Sequence, residues 1–193
     1  NTYPLGGYTG IDIGYSADFI PLKDLSRLGS GSDDDTQMVF NTLSIGKGLF
    51  YNVDGYIYFT PFNQHNDLQS FGAQIKWAFY EMTSAPIAFS VSAYGGGANF
   101  SNVMGVSTLG GDILATVMTD WLSFYLGVGS VRAIGRFVGG TDGITNVVED
   151  SVEDILRGHS FLGVQLQYSR FYIAGQVDIY TDTFYGAKIG LRF

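Results

Sequence analysis

Apolar and polar residues alternate with a period of two along most of the chain. The stretch 8–19 sets the pattern: Ile11, Ile13, Tyr15, Ala17 and Phe19 fall on one face, and Gly10, Asp12, Gly14, Ser16 and Asp18 on the other. A period of two is the mark of a strand with one apolar and one polar side. The same alternation predicts nine further strands, over 37–46, 50–60, 70–81, 87–97, 108–118, 121–131, 159–168, 171–181 and 184–193. Segments 37–46 and 108–118 are the weakest, so eight and twelve strands stand as alternatives to ten. Each segment is close to the roughly 9–11 residues that a tilted strand needs to cross a bilayer.

The connections alternate in length. Short ones are expected around Lys47-Gly48, Thr83 to Pro86, Thr119-Asp120 and Ser169-Arg170, and long ones over 20–36, 61–69, 98–107 and 132–158. Only the last link, near Thr181 to Thr183, is short where the rule asks for a long one. Pro4, Pro21, Pro61 and Pro86 lie at or outside segment ends, where a missing backbone donor does no harm. A two-residue turn at Ser169-Arg170 brings Leu162, Val164 and Leu166 onto the same face as Phe171, Ile173, Val177 and Ile179. Short turns on one side, long loops on the other and an even strand count describe an antiparallel up-and-down membrane barrel, one domain spanning 1–193. Short helical turns are expected inside two long loops, at Leu22, Leu25 and Leu28 and at Val148, Val152 and Ile155.

Alternation alone does not separate this barrel from a soluble lipocalin-like barrel or a sandwich, whose apolar face points inward. Charged residues are 15% of the chain, against about 25% in soluble domains. The polar face mixes Tyr and Gln with Gly10, Gly14, Gly72, Gly127, Gly129, Gly163, Gly186 and Gly190, small and large together, as a confined lumen requires. The apolar face carries Phe19, Phe59, Phe71, Trp77, Phe79, Phe124, Tyr168, Phe171, Tyr185 and Phe193 towards strand ends, as an interfacial aromatic girdle does. The apolar face is therefore expected to meet lipid. The uncharged run between Glu81 and Asp112 is long enough for a membrane helix, but its Pro86, Gly95 to Gly97, Gly110 and Gly111 argue against one. A net charge of -8 and a pI near 4.4 argue against nucleic acid as a partner, and without Cys there is neither a disulfide nor thiol chemistry. The opening NTYPLGGYTG has neither a basic start nor an apolar block, so a mature form is expected.

The chain ends YGAKIGLRF, with Tyr185, Ala187, Ile189, Leu191 and Phe193 on one parity. This resembles the C-terminal signature of Gram-negative outer-membrane β-barrel proteins, in which a terminal aromatic follows apolar residues at alternate positions. The resemblance implies an outer-membrane location with both termini periplasmic, contact with outer-membrane lipids and lipopolysaccharide, and recognition by the barrel-assembly machinery through Leu191 and Phe193.

Ions in a narrow lumen need partners. Folding the third and fourth segments about residue 65 sets Asp54 across from Lys76, and folding the last two about residue 183 sets Asp178 across from Lys188. Closure of the last segment on the first makes Asp12 available to Lys188 or Arg192. His65 falls in a loop. His159 is expected at the loop-side rim, opposite Tyr180 and diagonal to Asp178 and Asp182, where a His with carboxylates could activate water. Ser160 points to the other face and is a poor nucleophile. Asp33, Asp34 and Asp35, and Glu149, Asp150, Glu153 and Asp154, make the long loops acidic. They are expected to be solvated, with Ca²⁺ or Mg²⁺ bridging to lipopolysaccharide as a weaker reading, because no ordered ligand spacing is present. Otherwise no cofactor or metal is expected. The expected role is non-enzymatic: a barrel with a narrow, ion-paired lumen acting through its loops in envelope structure or adhesion, its extracellular partner unidentified. The alternatives are a small-solute channel and an outer-leaflet hydrolase using His159.

Overall fold

The computed structural model describes residues 4–21, 37–61, 68–82, 85–100, 104–137 and 152–193. Among them lie ten strands: β1 (Ile11–Pro21), β2 (Gln37–Gly48), β3 (Val53–Phe59), β4 (Leu68–Glu81), β5 (Ile87–Phe100), β6 (Met104–Met118), β7 (Leu122–Phe137), β8 (Val152–Tyr168), β9 (Phe171–Ile179) and β10 (Thr183–Arg192). Each pairs antiparallel with its sequence neighbours, and β10 returns to β1 with Asp12 opposite Arg192, closing a ten-stranded barrel. Segments 37–46 and 108–118 are full members of the ring.

The predicted parity holds around the barrel, and the apolar side faces out. Ile57 and Leu126 are each 61% exposed, whereas the intervening-parity residues Tyr56 and Tyr125 are 8% and 7% exposed. Closure gives every strand a partner on both sides through the middle of the barrel, while residues 37–42 of β2 and 152–159 of β8 are paired on one side in the ladders. Of the expected girdle, nine aromatics are exposed on the outer face, and Phe59 is half-buried there. Turn residues complete the ring at the short-turn end: Phe50, Tyr51 and Trp121 are exposed by 55%, 86% and 61%. In β4 a register shift between Ala78 and Tyr80 leaves Phe79 as an extra residue, so Phe79 and Tyr80 are both exposed.

Several expected boundaries change. Strand pairing continues to Phe100–Met104 and to Arg136–Val152, so the predicted loops 98–107 and 132–158 are largely strand, with 101–103 and 138–151 outside the described residues. Val152 and Ile155, expected in a helical turn, belong to β8. An antiparallel ladder needs only backbone partners, so it runs on after the apolar–polar alternation has ended. Leu68 and Gln69 belong to β4, and Ile20 and Pro21 pair with Met38 and Gln37, shortening the predicted loops 61–69 and 20–36. Leu22, Leu25, Leu28, Asp33, Asp34, Asp35, His65, Val148, Glu149 and Asp150 lie outside the described residues.

Lys47 and Gly48, expected as a turn, are the last residues of β2. The turn follows them, with Tyr51 and Asn52 at φ 56° and 59°, the left-handed pair whose twist matches that of a hairpin. Residues 8–10, expected as strand, precede β1: Gly7–Thr9 is a 3₁₀ turn. This segment tucks against the short-turn end of the barrel, with Leu5 6% exposed and Gly48 N–H donating to Gly10 O at 3.0 Å.

Candidate functional site in the barrel lumen

Two polar clusters fill the lumen, one above the other. The lower one, at the short-turn end, joins β1, β3, β4, β9 and β10. Asp54 and Lys76 stand opposite each other as expected, with Nζ 3.1 Å from Oδ2 and both side chains buried. The Leu5 backbone N–H donates to both Asp54 oxygens at 3.1 and 3.3 Å, so the N-terminal segment is anchored on this ion pair. Asp12, 1% exposed, takes Lys188 Nζ at 3.5 Å on one oxygen and Arg192 Nη2 at 3.5 Å on the other, and accepts from Tyr172 OH at 3.0 Å. Lys188 and Arg192 also lie over the Tyr172 ring, 5.7 and 5.6 Å from its centroid. Removing one member of a buried pair costs about 3–5 kcal/mol because it strands the other charge, so this cluster holds together as a unit.

The expected Asp178–Lys188 pair does not form. β9 and β10 meet with Asp178 opposite Phe184 and Lys188 opposite Ala174, and the turn lies at 180–182, where Tyr180 N–H donates to Asp182 O at 3.0 Å. Moving the turn centre from 183 to 181 slides the pairing by four residues, which keeps every side chain on its expected face but changes all the partners. Asp178 instead accepts from Gln176 Nε2 at 3.0 and 2.9 Å.

The upper cluster centres on His159. It stands beside Tyr180 as expected, rings stacked with centroids 4.6 Å apart, and Phe161 lies on it at 5.9 Å. Its carboxylate partner is Asp112 of β6, whose Oδ1 is 3.2 Å from Nε2, and neither Asp178 nor Asp182 pairs with it. Asp112 also accepts from Ser92 Oγ and Tyr94 OH, both at 3.3 Å. Asp112 and His159 are two strands apart, with Gly129 of β7 opposite both. A Cβ on Gly129 would fall 2.0 Å from Asp112 Oδ1, so the missing side chain is what lets the carboxylate cross β7. Glycines serve the lower cluster in the same way: Tyr172 reaches Asp12 across Gly190, where a Cβ would lie 2.6 Å from the ring.

Both clusters border a cavity of about 680 Å³. Its floor includes Tyr56, Lys76, Gln165 and Arg192, and its walls carry Asp18, Asp112, His159 and Asp178. Deeper still, Ser90, Thr116 and Ala88 are completely buried and do not line it. The lumen is therefore a cup with a packed base. No group of three or more His, Cys, Asp or Glu side chains among the described residues is placed to hold a metal ion. Asp154, read from the sequence as a loop acid, lies in β8 and is hydrogen-bonded by the Arg132 guanidinium on an exposed part of the wall, with Arg132 Nε 2.9 Å from Oδ1.

Neither a protein-family model nor a curated protein sequence matches this chain. Among solved structures, it is similar to the N-terminal β-barrel domain of Pseudomonas aeruginosa OprF, with a TM-score of 0.43 and 9% identity over 97% of this chain and 99% of that one. It is also similar to Ail, the attachment invasion locus protein of Yersinia pestis (TM-score 0.36, 16% identity, 95% and 97% covered). A third is Neisserial surface protein A (TM-score 0.34, 11% identity, 95% and 93% covered). The ten-strand closure stands on the strand pairing of this chain itself.

Proposed function

We propose that this chain spans the outer membrane of a Gram-negative bacterium as a non-conducting barrel and acts through its loop-side face, in envelope structure or in adhesion and recognition. The short turns and both termini lie on the periplasmic side. The observation that carries the reading is the packed base. Asp12, Asp54 and Lys76 are 1%, 0% and 4% exposed, and the Leu5 N–H sits on the Asp54 carboxylate below them. A hydrated ion has no path through such a cluster unless it breaks buried ion pairs. The membrane placement is supported by the apolar outer wall and its aromatics, since soluble monomers rarely expose contiguous apolar patches above a few hundred Å². Leu191 and Phe193, 43% and 50% exposed on the outer face, are available to the barrel-assembly machinery, and outer-membrane lipid and lipopolysaccharide surround the wall.

Conductance across a planar bilayer tests the reading, using refolded protein whose heat-modifiable gel mobility confirms the barrel. No current steps are expected. Steps whose ion selectivity changes in Lys76→Met or Lys188→Met would establish the channel reading instead, and unboiled protein that stays soluble without detergent would overturn the membrane placement. The cavity is the observation that favours the channel reading, but its base is filled. For a hydrolase, His159 has a carboxylate partner, yet no nucleophilic side chain among the described residues is hydrogen-bonded to its Nδ1.

A further inference from the structure

The cavity above the packed base is asymmetric in its chemistry. Four carboxylates line it, Asp12 and Asp18 from β1, Asp112 from β6 and Asp178 from β9, together with the cations Lys76, Lys188 and Arg192. Asp12 holds Lys188 and Arg192, and Asp112 lies 3.2 Å from His159 Nε2, but Asp18 and Asp178 have no cationic side chain within ion-pair distance among the described residues. The nearest cation along β10, Lys188, is held by Asp12 below. Asp18 leans over Gly186 of β10, where a Cβ would fall 2.7 Å from its Oδ1, so it is turned towards β9, the strand of Asp178.

A second and independent feature lies in the same wall. The His159 side chain is 3% exposed, and its Nδ1 is buried with no hydrogen-bond partner among the described residues. Nε2 faces the Asp112 carboxylate, which leaves Nδ1 as the ring nitrogen without a partner among the described residues. Tyr94, Tyr125 and Tyr180 also line the cavity, Tyr180 with one face stacked on His159. Two carboxylates without an ion pair among the described residues, an unpartnered ring nitrogen and tyrosine side chains suit one ligand chemistry, a positively charged N–H donor. A metal ion does not suit them, since no three ligating side chains converge among the described residues.

We infer that the upper lumen is a binding site for a small organic ammonium ion, held by Asp18 and Asp178 against the tyrosine-lined wall beside His159. The volume of about 680 Å³ is within the roughly 300–1,000 Å³ usual for small-molecule sites. The packed base closes the cavity at the short-turn end.

The test is calorimetric titration of the refolded full chain in detergent with putrescine, a diammonium ion, and with 1,4-butanediol, its uncharged counterpart. One saturable site for putrescine and none for the diol is expected. Asp18→Asn and Asp178→Asn, which keep shape and remove charge, should each weaken binding about tenfold, as loss of a charge-assisted hydrogen bond does. Glu153→Gln, outside the cavity lining, should leave it unchanged. The inference is overturned if protein with heat-modifiable mobility does not bind putrescine, if the diol binds equally, if both Asn variants retain full affinity, or if equimolar Mg²⁺ displaces the amine. Conductance does not bear on it, so this inference and the non-conducting reading can fail separately.

Discussion

A methyl group on Gly129 would sit 2.0 Å from Asp112 Oδ1 and 2.5 Å from the Gly111 carbonyl. At this residue a missing side chain does structural work, because the Asp112–His159 pair runs through the space it leaves. Gly129→Ala should cost about 1–3 kcal/mol by overpacking, read as a lowered urea midpoint of the refolded barrel by tryptophan fluorescence. Gly175→Ala, with nothing within 4 Å of the new methyl, should change it little. Equal costs at the two sites would mean that the crossing is not what Gly129 serves. The mixture of glycine and large polar side chains was legible in the sequence. Which side chain leans over which glycine was not, because it depends on the registers of β6, β7 and β8 together.

At the scale of the element, the β9–β10 hairpin shows what parity can and cannot determine. Residues 171–193 alternate clearly enough to assign every face, and the structure keeps those faces. The pairing was four residues out, since a turn at 180–182 and one centred at 183 satisfy the same alternation. The cysteine-free chain allows a direct check. Oxidation of Val177→Cys/Tyr185→Cys, paired here across the hairpin, should give a disulfide, whereas Val177→Cys/Ile189→Cys should stay reduced. The opposite result would restore the slid register and with it the Asp178–Lys188 pair. Asp54 and Lys76 meet as expected because the β3–β4 pairing keeps its centre at residue 65.

For the whole molecule, the decisive property is that the apolar side faces outward. Leu126, between the exposed Phe124 and Val128 along β7, is 61% exposed. In a bilayer Leu126→Lys should cost about 2–4 kcal/mol if it lies near the midplane, measured by reversible urea unfolding in lipid vesicles. A change below about 0.5 kcal/mol, the usual range for a water-facing substitution, would place that wall in water. By itself the sequence determined which residues share a face and that an even-stranded barrel follows, and the pairing decided that ten strands close it. A period of two is a local property of the backbone, and charge-poor composition favoured an apolar face turned outward. Tertiary structure alone decided that Leu5 caps the Asp54–Lys76 pair, that Asp12 gathers both Lys188 and Arg192, and that His159 finds Asp112. Those meetings depend on ring closure and on side chains crossing bare glycines, and neither distance is written in the spacing of residues along one strand.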